Sequence, residues 1–312
     1  MMIVAPITAF ALTVWAVAWV LTRLTLDHPN DRSSHSVPTP RGGGLGVIPS
    51  VLFAWAVFSD YRPWPLLAGA LALMAASLID DRRGLPPLVR LIVQAVMVGV
   101  FTLTLPESSW PILAVAAFLL LWFVNVYNFM DGIDGIAGVE TLGLGLGIAV
   151  IAAQSGDTAA LAVPALCLAA AGLGFLVWNW HPAKVFLGDC GSVPLGLLTG
   201  GLLIMLAFGG QWAAALILPA YYLADATVTI GVRLITGDEF LKPHRKHFYQ
   251  RASRGDAGPA KVSSTVLVGN TGLIAAAWIA ANGQTFLGLL LGAAIVAGLL
   301  ALLHHWGRNA PP

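Results

Sequence analysis

Eleven apolar runs, each close to the length of one bilayer crossing, dominate this chain. They lie near residues 2–21, 44–59, 65–80, 88–105, 110–127, 135–153, 157–178, 191–209, 211–235, 264–282 and 284–304. A spanning helix needs about 20 mostly apolar residues, so each run is read as one span. Backbone inside lipid must satisfy its own hydrogen bonds, and runs without strand-like alternation do so as helices. Apolar types make up 58% of the 312 residues and charged types only 10%. Sixteen basic and 15 acidic side chains could not cover a soluble surface of this size. Nor do they supply the basic face of a nucleic-acid binder. The expected fold is an all-α polytopic integral membrane protein, a single domain over residues 1–312 with about 11 transmembrane helices.

The first run lacks a basic start and ends at Arg23 instead of a small-residue cleavage site, so it reads as a retained span. Alternating sides from there puts 15 of the 16 Lys and Arg residues on one face, with Arg62 alone opposite. That bias predicts an outside (periplasmic) N-terminus and a cytoplasmic C-terminus. The expected location is the bacterial inner membrane. Cys167 and Cys190 are too few for a disulfide scaffold. Gly143, Gly145 and Gly147 imitate a nucleotide-binding pattern, but inside an apolar helix they read as close helix packing.

Most acids gather in the same loops as the bases, which suggests an active site on cytoplasmic loops. Asp80-Asp81 ends the third run, where two adjacent carboxylates favour a cation or a neighbouring Arg82 or Arg83. In the stretch from Asn125 to Gly138, Asn125 and Asn128 share a helix face that Asp131 continues, with Asp134 beyond. Amide and carboxylate oxygens together suit a hard cation or a nucleobase edge. Phe186-Leu-Gly-Asp189-Cys-Gly-Ser192 sets a lone carboxylate between glycines after an aromatic that could stack on a base. Lys242-Pro-His244-Arg245-Lys246-His247 through Arg251 reads as an anion clamp, with phosphate its natural target. His244 and His247 have a zinc-like spacing but no cysteine cluster beside them. The Asp27–Gly44 loop ends in three glycines whose N–H groups could cradle phosphate. Asp225, inside the ninth run, should face the bundle or a cavity.

Asp80-Asp81, Asn125–Gly138, Asn179 with Pro182-Ala183 and Phe186–Ser192, and the His244–Arg251 loop occur here in a characteristic order. In that order the chain resembles the polyprenyl-phosphate N-acetylhexosamine-1-phosphate transferase superfamily, glycosyltransferase family 4. The Asp27–Gly44 loop and the Asp225…Arg233 stretch look most like its O-antigen and exopolysaccharide-initiating branch. Arg82-Arg83-Gly84 and His-Arg-Lys-His depart from the peptidoglycan-precursor branch, which makes muramoyl-pentapeptide transfer the alternative.

The resemblance implies transfer of a sugar 1-phosphate from a UDP-N-acetyl sugar to undecaprenyl phosphate, releasing UMP. It also implies Mg²⁺ (or Mn²⁺) at Asp189, Asp80 and Asp81. Asp80 and Asp81 would stand beside the lipid phosphate, with Asp80 as candidate base. Asp131 would meet the uracil edge and Phe186 its face, while Asn125, Asn128, Asp134 and Asn179 shape the pocket. His244, Arg245 and His247 would bind phosphate. The implied partners are the two substrates and membrane lipids, with no nucleic acid; oligomerisation is left open. A secondary transporter of an anionic solute is the rival from another class, but transporters place sites near the midplane and often carry repeats. A CDP-alcohol phosphotransferase is disfavoured because Gly138, not Arg, follows Ala137.

Overall fold

A computed structural model describes residues 1–23, 26–27, 38–106, 109–154, 156–237 and 244–310. Of the sequence features above, His28–Val37 and Lys242-Pro243 lie outside the described residues, as does the side chain of Arg82.

Among the described residues the fold is helical. Each apolar run contains helix: α1 (Val4–Leu21), α2 (Gly44–Phe58), α3 (Trp64–Arg83), α4 (Pro87–Thr102), α5 (Trp110–Phe129), α6 (Ile136–Ala152) and α7 (Ala162–Asn179) come first. Then come α8 (Asp189–Leu206), α9 (Trp212–Ile217), α10 (Ala220–Ile235), α11 (Phe248–Arg254), α12 (Gly258–Ala281) and α13 (Thr285–Trp306). Proline sits at the first turn of α3, α4, α5 and α12, where its missing N–H costs nothing. Two two-residue strands, β1 (Leu26–Asp27) and β2 (Thr39–Pro40), pair antiparallel before α2.

Seven helical stretches are long and apolar enough to cross a membrane, while α2, α4 and α6 are apolar but shorter. The chain is thus an all-α polytopic membrane protein. Its outer surface carries Trp15, Phe53, Phe118 and Phe286, all more than half exposed, as lipid-facing helices require. The centre is the Asp189–Ile217 stretch, 72% buried, against 28% for α1 and α13. Helices α3 and α5 pack on α8, α6 packs on α7, α7 on α1, and α12 lies against α6 and α13.

Two expectations need correction. Residues 211–235 are not one helix. The chain bends at Gly209-Gly210, runs through α9, and breaks again at Pro219 before α10. Proline removes a backbone donor and clashes with the preceding turn. The region after α10 is also not all loop, because residues 248–254 form α11.

The Gly143–Gly147 reading holds. A Cβ on Gly145 would fall 2.5 Å from the Ala169 nitrogen, so α6 and α7 touch backbone to backbone there.

Candidate active site

The loops between α3 and α4, after α5, before α8, before α2 and before α11 meet at one end of the bundle. Gly84, at φ 65°, ends α3 in the left-handed conformation that residues with a side chain avoid. The turn folds α4 back, so that Leu85 N donates to Asp80 Oδ1 at 2.6 Å and Arg90 Nη1 to Asp80 Oδ2 at 3.1 Å. Asp189 opens α8. Its Oδ1 accepts from Arg41 Nη2 at 2.6 Å, and its Oδ2 lies 4.0 Å from Arg90 Nη1. One guanidinium thereby links the carboxylates of two separate helices.

The segment carrying Arg41 is locked to the one carrying Asp189. Phe186 N donates to Pro40 O at 2.8 Å, while Gly42 N and Gly43 N donate to Phe186 O and Gly44 N to Leu187 O. The triple glycine is therefore not a phosphate cradle: its N–H groups are already spent. Its small size serves packing instead, since a Cβ on Gly44 would meet the Gly191 nitrogen at 2.3 Å.

A cavity of about 660 Å³ opens beside this cluster. Its polar lining includes Asp80, Arg90, Gln94, Asn125, Asn128, Asp189, Arg233, His244, His247 and Gln250, and its apolar lining includes Leu73, Phe118, Leu121 and Trp122. Asn125 donates to Gln94 Oε1 at 2.9 Å and Asn128 to Ser192 Oγ at 2.8 Å. Asp131, in the loop after α5, feels both Arg41 and Asp189; burial pushes its carboxyl up to about 7 despite the arginine.

Asp131 itself, and several other sequence candidates, stand apart from the cavity lining. Asp81 is exposed at the end of α3. Asn179 is a buried staple, accepting from Gly135 N at 2.9 Å and donating to Val185 O at 2.8 Å. Asp134 accepts from His181 Nδ1 at 2.6 Å and from Ala183 N at 3.1 Å, holding the α7–α8 loop. Phe186 meets the site through its backbone bridge to Arg41. The carbonyl of Arg245 accepts from Arg254 Nη2 at 2.8 Å. His244 and His247 do reach the cavity and stack with centroids 5.0 Å apart. Asp225 is fully buried and faces the bundle, as its position in the ninth run suggested.

The sequence reading passed over Arg90 and Gln94. Arg90 was only one of many loop cations, and its proximity to Asp80 depends on the Gly84 turn. Gln94, a polar residue in an apolar helix, carried the usual mark of an intramembrane site.

Among the described residues no three His, Cys, Asp or Glu side chains form a ready-made metal cage. Two carboxylates that already share one cation still fit a Mg²⁺-type ion. Mg²⁺ is commonly held by one or two carboxylates with substrate phosphates and water completing the shell. Asp80 and Asp189 would hold it.

The family model described as glycosyl transferase family 4 matches residues 63–207, which carry Asp80, Asp131 and Asp189. The chain is 30% identical to a probable undecaprenyl-phosphate N-acetylglucosaminyl 1-phosphate transferase of Bacillus subtilis (strain 168), over 80% of this chain and 76% of that relative. It is 32% identical to a decaprenyl-phosphate N-acetylglucosaminephosphotransferase of Mycolicibacterium smegmatis, over 98% of this chain and 88% of the relative. A phospho-N-acetylmuramoyl-pentapeptide-transferase of Synechococcus sp. is also 32% identical, over 63% and 67%. With its motifs gathered at one end of a helical bundle and these relatives matched along most of their length, the chain belongs to glycosyl transferase family 4.

Proposed function

We propose that this protein transfers an N-acetylhexosamine 1-phosphate from a UDP-sugar to undecaprenyl phosphate at the cytoplasmic face of the inner membrane, initiating a cell-envelope polysaccharide such as O-antigen. The observation that carries the reading is the meeting of Asp80, Arg90 and Asp189 in the lining of a cavity that is otherwise largely apolar. Such a cavity suits a phosphate attached to a long hydrocarbon chain. The Arg41, Asp189, Asp131 and Phe186 side would take the UDP-sugar, and the Asp80, Arg90 and apolar side the lipid. His244, His247 and Arg245 would contribute to phosphate binding.

The acceptor phosphate has a second pKa of about 6 and is largely ionised near pH 7, so it needs no strong base. One of its oxygens attacks the β-phosphorus of the donor. The bond from that phosphorus to the bridging oxygen breaks, and UMP leaves with the bridging oxygen. Both reactants are anions, so their approach must be screened. Arg41 and Arg90 supply fixed positive charge on the two sides of Asp189. A Mg²⁺ held by Asp189 and Asp80, with Asp81 near, would add neutralisation of the diphosphate. Direct attack is favoured over a covalent aspartyl intermediate; a phosphosugar-labelled enzyme trapped without lipid would reverse that order.

The test is to incubate the purified protein with undecaprenyl phosphate, Mg²⁺ and a panel of UDP-N-acetyl sugars that includes UDP-N-acetylmuramoyl-pentapeptide. A lipid diphosphate sugar and UMP are expected with an N-acetylhexosamine donor. Turnover of the pentapeptide donor alone would move the chain to the other branch. Uptake into liposomes without lipid-linked product would overturn the reading.

A further inference from the structure

The carboxylate of Asp225, in α10, is fully buried and is held by neighbouring hydrogen-bond donors. Its Oδ1 accepts from Phe248 N at 3.0 Å, His247 Nδ1 at 3.2 Å and Thr229 Oγ1 at 3.3 Å. Its Oδ2 accepts from Tyr249 N at 3.1 Å and Tyr221 Oη at 3.2 Å. Three of the five donors belong to residues 247–249, where α11 begins. That helix receives no cap from its own side chains. A capping residue normally sits next to the helix it caps; here the cap comes from another helix.

The far side of α11 is fixed as well. Tyr249 is fully buried, and its hydroxyl donates to Phe129 O at 2.9 Å, beside the Asp131 loop. Its ring stacks on His247 with centroids 5.8 Å apart, and His247 in turn stacks on His244. His247 and His244 line the cavity, whereas Asp225 does not.

We infer that Asp225 is a positioning residue: it acts through His247 and the start of α11 to set where the histidine-bearing segment stands in the cavity. A carboxylate only accepts, so His247 Nδ1 carries the proton in this contact and Nε2 is the nitrogen left for a ligand. The inference rests on the proposed reaction for its kinetic part and on geometry alone for its anchoring part. Asp225→Asn separates the two. An amide offers one acceptor oxygen, and either orientation turns an NH₂ group toward at least two of the existing donors.

The experiment compares wild type, Asp225→Asn, His247→Gln and the double variant, all as the full chain in nanodiscs. Three readouts are taken: hydrogen exchange of the 244–254 segment, thermal midpoint, and kinetics with undecaprenyl phosphate. Asp225→Asn is expected to speed exchange of that segment at least tenfold while leaving α6 and α7 unchanged. It is expected to raise the KM for undecaprenyl phosphate at least tenfold with a smaller change in kcat. In the His247→Gln background the same substitution should change KM less than threefold, because coupled residues are not additive. Unchanged exchange at 244–254 would overturn the anchoring. Equal KM losses in both backgrounds, or losses that simply follow a collapse of the thermal midpoint, would overturn the action through His247. If wild type turned over no donor, the proposed reaction would fail, and the exchange measurement would still decide the anchoring.

Discussion

Asp189 opens α8, whereas Asp225 lies inside α10 and caps the start of α11, and the two carboxylates are used in opposite ways. Asp225 is sealed from solvent with five protein donors on its two oxygens. The side chain of Asp189 is 25% exposed and faces Arg41 and Arg90, themselves 42% and 43% exposed. Burying a carboxylate costs several kcal/mol, and that cost is offset only where further hydrogen bonds occupy its lone pairs. Asp225 meets that condition and so fixes structure. Exposed ion pairs contribute about 0–1 kcal/mol, so the arginines on Asp189 are held weakly enough to exchange for a ligand. A carboxylate saturated by its own protein positions other groups, whereas one paired only with exposed arginines is available for chemistry.

The contrast is broken most directly by Asp189→Asn. It should lower kcat by about 10³-fold, the scale of losing one charge-stabilising group, while the thermal midpoint stays within about 2 °C, as for a surface substitution. Near-normal Mg²⁺-dependent turnover would remove Asp189 from the ligand set; a large fall in midpoint would make it structural like Asp225.

Asp134 sharpens the contrast, because one of its oxygens accepts two bonds from its own protein while the side chain is only partly buried. Asp134→Ala leaves Ala183 N and His181 without an acceptor and should destabilise the protein by about 1–3 kcal/mol, measured as a shift in unfolding midpoint. Unaltered stability would return Asp134 to the substrate-contacting group.

Phe186→Ala should raise the KM for the UDP-sugar about fivefold to tenfold, corresponding to about 1 kcal/mol of base stacking. An unchanged KM would limit Phe186 to its backbone role. The smallest effect is expected from Arg245→Ala, which should weaken phosphate binding about twofold at low salt and less at high salt, since the charge of this half-buried side chain is still partly screened. Equal losses at both salt concentrations would point to a buried contact.

The elements that were legible in the sequence are those set by local composition. Each apolar run became helix because length and hydrophobicity act within the run. The polar motifs also came together, with Asp80 and Asp189 sharing Arg90. What escaped the sequence depends on contacts between distant segments. The triple glycine reads as a phosphate cradle until Phe186 and Leu187 are seen to take its N–H groups. Helix α11 is seven residues of mixed polarity and draws its cap from Asp225, which no local pattern reveals. Pro219 was visible as a residue, but the apolar composition around it masked the break it makes.

The contact between Gly44 and Gly191 has a mechanical consequence. At that point α2 and α8 meet with no side chain between them, and a Cβ on Gly191 would fall 2.8 Å from the Gly44 Cα. Arg41 and Asp189 hang from this junction, each within three residues of it. Any bulk inserted there would spread the two and, through Asp189, shift the cavity lining, so this corner is built to hold both side chains as one rigid jaw.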